Sequence, residues 1–130
     1  MEALKILIVE DEFIIASNLK LMLEDLGYAP YNPAGSKKEA MEALVKLEID
    51  LVILDINLNG KHEGIEIANY IKDNLHIPFI FLTSNADKET INEAKNTLPK
   101  AYLIKPFTEE DIYSAIEMAM ASLLHERNNE

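Results

Sequence analysis

Five short apolar runs recur along the chain, and the stretches between them carry helical spacing. The runs are Leu4 to Val9, Tyr28 to Tyr31, Leu51 to Leu54, Phe79 to Leu82 and Ala101 to Ile104. Three of them (Ile6-Leu7-Ile8-Val9, Leu51-Val52-Ile53-Leu54 and Phe79-Ile80-Phe81-Leu82) are continuous rather than alternating. A strand reads that way when both of its faces are buried, as in a parallel sheet covered by helices. Between the runs, apolar stripes fall at Ile15, Leu19, Met22 and Leu26; at Ala40, Leu44 and Leu47; at Ala68, Ile71 and Leu75; at Ile91, Ala94 and Leu98; and at Ile112, Ile116, Ala119 and Leu123. These are spacings of three and four, which predict amphipathic helices. Gly27, Pro78 and Pro99 supply stops, and Ser36 with Glu39 makes a capping box. Thr108 and two glutamates suit a last helix N-terminus. Strict alternation of strand and helix implies an α/β domain with a parallel sheet, helices on both faces and right-handed crossovers.

At 130 residues the chain is one domain's worth, and no linker, repeat or low-complexity tract divides it. Lys plus Arg is 12 against 23 Asp plus Glu, a net charge of −11. That balance argues against nucleic acid or an anionic membrane as a direct partner. The absence of cysteine excludes disulfides, thiol nucleophiles and cysteine-type zinc sites. No apolar run approaches the roughly 20 residues of a membrane span, and the N-terminus lacks the form of a secretion signal. The expectation is a soluble, cytoplasmic domain.

Open parallel sheets carry their functional groups at the carboxyl ends of the strands. Here those ends read Glu10-Asp11-Glu12, Asp55, Thr83-Ser84 and Lys105-Pro106. Glu10, Asp11 and Asp55 would converge, and three carboxylates in a small space need cations. Lys105 supplies one. Hard oxygen donors without Cys or His at these positions select magnesium over zinc. A carboxylate beside such an ion is a competent nucleophile toward a phosphoryl group, with a lysine and a hydroxyl to hold the other oxygens. Taken singly, each element has a plain structural role: an acidic pair as a helix cap, Thr-Ser as loop chemistry, Lys-Pro as a turn. Together, in this order, they are far more specific.

The segments Ile8-Val9-Glu10-Asp11-Glu12, Val52-Ile53-Leu54-Asp55, Leu82-Thr83-Ser84 and Tyr102-Leu103-Ile104-Lys105-Pro106-Phe107 resemble the receiver domain of two-component response regulators, including the single-domain chemotaxis type. The resemblance implies a flavodoxin-like, doubly wound (βα)5 fold with strand order 2-1-3-4-5. It implies a receiver domain over residues 1–125; the polar end of the chain, 126–130, is expected to fray. Asp55 is then the phosphoacceptor, served by a phosphohistidine on a histidine kinase or phosphotransfer protein. Asp11, Asp55 and the Asn57 carbonyl ligate Mg²⁺, for which Mn²⁺ can substitute, with Glu10 contacting it through water. Lys105 and Thr83 bind phosphoryl oxygens, with Ser84 bordering them. Thr83 and Tyr102 form the switch, remodelling the face of the fourth helix, fifth strand and fifth helix for a downstream protein. The resemblance implies no enzyme beyond Mg²⁺-dependent self-phosphorylation and self-dephosphorylation, and a monomer or phosphorylation-dependent dimer. The chain ends soon after the fifth helix, so no output domain is expected.

Two departures from the family pattern stand out. The loop after Asp55 is one residue longer than the common form and has Asn59 where a proline is usual. Ser84 follows Thr83 where many members carry a small apolar residue. Rival readings are weaker. Asp55-Ile-Asn57-Leu-Asn59-Gly60 with Glu66 matches a calcium-loop pattern, but a buried strand precedes it instead of a helix. A phosphohydrolase would need an acid at Asn57. A phosphorylation-independent module would not need the complete acidic set. His62, His76 and His125 read as surface histidines.

Overall fold

The computed structural model describes the backbone of residues 2–60, 62–84 and 88–128, with side chains over 2–60, 62–84 and 92–124. The elements are β1 (Lys5–Val9), α1 (Phe13–Asp25), β2 (Ala29–Pro30), α2 (Lys37–Lys46), β3 (Leu51–Asp55), α3 (Glu63–Tyr70), β4 (Phe79–Thr83), α4 (Lys88–Lys95), β5 (Ala101–Ile104) and α5 (Glu109–Asn128). A tight turn, Leu58–Gly60, precedes α3, and a π-helical turn, Ile71–Leu75, extends it. The five strands are parallel in the order β2-β1-β3-β4-β5, the doubly wound flavodoxin-like arrangement.

Continuous apolar runs make sense because period-two alternation sends side chains to two buried faces. Leu7, Val9, Val52, Leu54, Phe79 and Phe81 meet α2, α3 and α4 on one side. Ile6, Ile8, Leu51, Ile53, Ile80 and Leu82 meet α1 and α5 on the other. Each fully buried aliphatic side chain contributes roughly 1.5–3 kcal/mol, so β1, β3 and β4 anchor the domain. The edges are thinner. β2 has two residues, one of them Pro30, and proline suits an edge because it cannot donate to a ladder. In β5 only Leu103 is buried.

The helix stripes hold near their centres and fail at their ends. Leu19, Ala40, Leu44, Ala68, Ile71, Ala94, Ile112, Ile116 and Ala119 are buried as expected. Leu47 is 39% exposed and Leu98 68% exposed, because each lies just past the end of its helix, where the spacing of 3.6 no longer applies. Ile91 and His125 lie outside the described side chains. α5 continues through part of the expected tail, to Asn128; residues 129–130 lie outside the described ones.

The predicted capping box takes a modified form. Ser36 Oγ accepts the Glu39 N–H at 3.1 Å, but Glu39 Oε2 reaches back to the N–H of Gly35, at 2.9 Å. Thr108 and Asp111 cap α5 similarly: each backbone N–H donates to the other's side chain, at 3.0 and 3.1 Å. Ser36→Ala is expected to lower stability by about 1 kcal/mol, read as a lower urea midpoint with unchanged slope.

Candidate functional site

Strand register assembles the rim. Val9 lies beside Leu54, which sets Glu10 next to Asp55. Asp55 lies beside Leu82, one residue before Thr83. Thr83 lies beside Ile104, one residue before Lys105, and the Lys105 N–H donates to the Thr83 carbonyl at 2.8 Å. Four distant segments thus meet at one edge because their strands end in step.

Lys105 lies between the acids. Its Nζ is 2.5 Å from Glu10 Oε1 and 3.2 Å from Asp55 Oδ2, with the lysine side chain only 11% exposed. Glu10 and Asp55 are buried, whereas Asp11 is exposed. Burial pushes the Glu10 carboxyl up to about 7, against the opposing pull of Lys105 and the Glu12 N–H. For Lys105, burial acts to lower the pKa, and the carboxylates of Glu10 and Asp55 outweigh it, so the net shift is upward. Asp55 Oδ1 accepts the N–H of Asn57 at 3.0 Å. The Asn57 side chain is exposed, and its carbonyl accepts the Gly60 N–H at 3.0 Å, leaving a second lone pair.

The donor set fits a hard cation. Glu10, Asp11 and Asp55 each place a carboxylate oxygen within 4.8 Å of the others. Two ligands about 2.0–2.6 Å from a common ion span that separation. Repulsion among these acids is an energetic cost of the metal-free state. Asp11 faces solvent, so Asp11→Asn is expected to leave metal-free stability within about 0.5 kcal/mol of the parent. The same variant should lose most of the stabilisation that added Mg²⁺ gives the parent, as read in paired urea titrations.

The remaining expected residues are nearby. Thr83 is buried at the end of β4 and Ser84 is exposed just beyond it. Ser84, Lys105 and Phe107 help line a cavity of about 360 Å³ against Glu12, Ile15 and Met22 of the α1 side. The Lys105–Pro106 bond is cis. Tyr102 is 36% exposed and its ring stacks on Phe81, with centroids 6.1 Å apart and planes at 30°. Burial raises the pKa of its hydroxyl. β3 is a strand, so the calcium-loop reading fails, and Glu66 instead pairs with Lys37 at 2.5 Å.

The departing loop has a physical basis. Asn59 has φ +56, a value closed to the usual proline, whose ring holds φ near −65°. Gly64 packs so tightly that a Cβ there would lie 2.0 Å from the Asp55 carbonyl oxygen. His62, read as a plain surface histidine, has Nδ1 3.0 Å from Glu93 Oε2, joining this loop to α4. Nothing in the sequence pattern signals that pair, whose members lie far apart along the chain.

Comparisons with known proteins agree with this geometry. The protein-family model for the response regulator receiver domain matches residues 6–117. The transcriptional regulatory protein PdtaR of Mycobacterium tuberculosis is 34% identical over 117 residues, which are 90% of this chain and 57% of that protein. The chain thus spans little more than half the length of that relative. Chemotaxis protein CheY-3 of Vibrio cholerae is 33% identical over 108 residues, 81% of this chain and 82% of that protein. The crystal structure of the signal receiver domain of a modulated diguanylate cyclase from Desulfovibrio desulfuricans G20 superposes with a TM-score of 0.88 at 34% identity, covering 96% of this chain and 99% of that one. Sequence, fold and rim geometry converge: the chain belongs to the response regulator receiver domain family.

Proposed function

We propose that the domain takes a phosphoryl group onto Asp55 from a phosphohistidine of a histidine kinase or phosphotransfer protein. The observation that carries this reading is the Lys105 ammonium lodged 3.2 Å from an Asp55 carboxylate oxygen at the strand ends, beside two further acids. An Asp55 oxygen attacks phosphorus, the P–N bond breaks, and the histidine nitrogen leaves. Asp11, Asp55 and the Asn57 carbonyl would hold Mg²⁺ or Mn²⁺, with Glu10 behind them. The bound ion supplies charge neutralisation for the transferring phosphoryl oxygens. Hydrolysis of the acyl phosphate returns Asp55, so the reaction is self-phosphorylation and self-dephosphorylation, not turnover of a small substrate.

The acyl phosphate carries a charge of about −2 where the carboxylate carried −1, and its three terminal oxygens lie farther out, which draws Lys105 and the Thr83 hydroxyl toward it, with Ser84 at the border. Movement of Thr83 frees space for Tyr102 to turn inward from its half-exposed position. That turn alters the α4–β5–α5 face, the surface offered to a downstream protein or to a second copy. A cytoplasmic location goes with this reading. Among the described residues no helix is long and apolar enough to cross a membrane.

The test is phosphotransfer profiling from candidate histidine kinases and phosphotransfer proteins, with Asp55→Asn as control. The expected result is rapid transfer from a small subset, absent in the variant. Transfer that persists in Asp55→Asn, or that occurs from no phosphohistidine donor, contradicts the proposal.

A further inference from the structure

The apolar hold on α4 is thin. Of its described side chains, Asn92 to Lys95, only Ala94 is buried. α5 by contrast buries Ile112, Ala115, Ile116 and Ala119. Burial free energy scales with the apolar area removed from water, so a single methyl group holds a helix far more weakly than that set. Polar ties therefore carry a larger share of what keeps this part of α4 in place.

Two such ties reach α4 and the turn that follows it. His62 Nδ1 lies 3.0 Å from Glu93 Oε2. Lys72 Nζ donates to the Asn96 carbonyl at 3.4 Å. The Asn96 N–H bonds back to the Glu93 carbonyl at 3.3 Å, so the two anchor points belong to one helical turn. His62 immediately precedes α3, and Lys72 lies in the π-helical turn that extends it. Both ties thus come from one helical unit, residues 62–75, gripping α4 from its two ends. π-helical turns gather at functional sites.

That unit is itself locked to the nucleophile's backbone. A Cβ on Gly64 would lie 2.0 Å from the Asp55 carbonyl oxygen and 2.7 Å from that of Ile56, and Ile67, Ala68 and Ile71 are fully buried. α3 cannot shift without disturbing the end of β3. A continuous path therefore runs from the Asp55 backbone through α3 to Glu93 and Asn96, separate from the one through Thr83 and Tyr102.

We propose that α3 clasps α4 in its resting position, and that the His62–Glu93 and Lys72–Asn96 ties set how readily α4 leaves it. The clasp deepens the function given above, since occupancy of Asp55 is the event that would release it, but it acts already in the metal-free, unmodified chain. Both members of the first pair are more than half exposed, so each tie biases the equilibrium by only about two- to fivefold. A small bias suits an element that must move, because a switch works between states close in free energy.

The test is amide hydrogen exchange of the full chain, metal-free and unmodified, in the parent and in His62→Ala, Glu93→Met and Lys72→Met. Methionine removes the charge while keeping helix propensity near that of Glu and Lys. Each variant should exchange about two- to fivefold faster over residues 92–98, with α5 unchanged. His62→Ala combined with Glu93→Met should be no faster than the faster single variant, since the pair is lost only once. Glu93→Met combined with Lys72→Met should multiply, to roughly tenfold. Unaltered exchange over 92–98 overturns the proposal. So do His62 and Glu93 effects that multiply, or acceleration that extends equally to α5. Labelling at Asp55 by phosphoramidate and Mg²⁺ should persist in all three variants. Its absence from the parent would remove the phosphoacceptor reading, while the exchange rates decide the clasp independently.

Discussion

Gly64→Ala is expected to cost about 3 kcal/mol or more, lowering the melting temperature by on the order of 10 °C. The added methyl would lie 2.0 Å from the carbonyl oxygen of Asp55 and 2.7 Å from that of Ile56. Both are backbone atoms, so neither can swing aside as a flexible side chain would. The start of α3 must then shift away from the end of β3, and the loop carrying Asn57 shifts with it. Gly35→Ala is the matched control, since a Cβ there meets nothing nearer than 3.9 Å. It should leave stability unchanged or raise it slightly. Equal melting temperatures for the two variants would show that the close approach does not exist in solution.

Lys105→Met should lower stability by about 3 kcal/mol in metal-free buffer, because it removes the shared counter-charge of two buried carboxylates. Added Mg²⁺ should recover part of the loss. Asp55 remains in place, so labelling by a small phosphodonor should persist. The amide shifts expected over residues 88–120 when the parent is phosphorylated should largely be missing from the variant, since the proposed link from the phosphoryl group to β5 is gone. A variant as stable as the parent without metal, or one that still shows those shifts, contradicts the role given to this lysine.

Much of this architecture was legible in the residues. β1, β3 and β4 announce themselves as continuous apolar runs because a parallel sheet buries both faces, and their polar ends mark the rim. Strand order is not contained in the periodicity and follows from the family likeness. Helix ends were harder to place. Leu47 and Leu98 continue the spacing but lie past the last turn, so they face solvent. α5 runs to Asn128 because no glycine or proline stops it. The acids, Thr83 and Lys105 were found by position. That Lys105 lies closer to Glu10 than to Asp55 depends on strand register, which the sequence does not state. The His62–Glu93 pair and the π-helical turn likewise arise from packing between distant segments. Gly64 could be located by its place at the start of α3, whereas its contact with the Asp55 carbonyl required coordinates.

We propose the acidic rim as a phosphoryl-accepting site whose nucleophile is Asp55. Its most direct test is the intact mass of the protein after incubation with Mg²⁺ and a small phosphodonor such as phosphoramidate, followed by mapping of the modified residue. The expected result is one added phosphoryl group per chain, located at Asp55, absent in Asp55→Asn and suppressed when the metal is chelated. A label on another residue, or one that survives in Asp55→Asn, would contradict it.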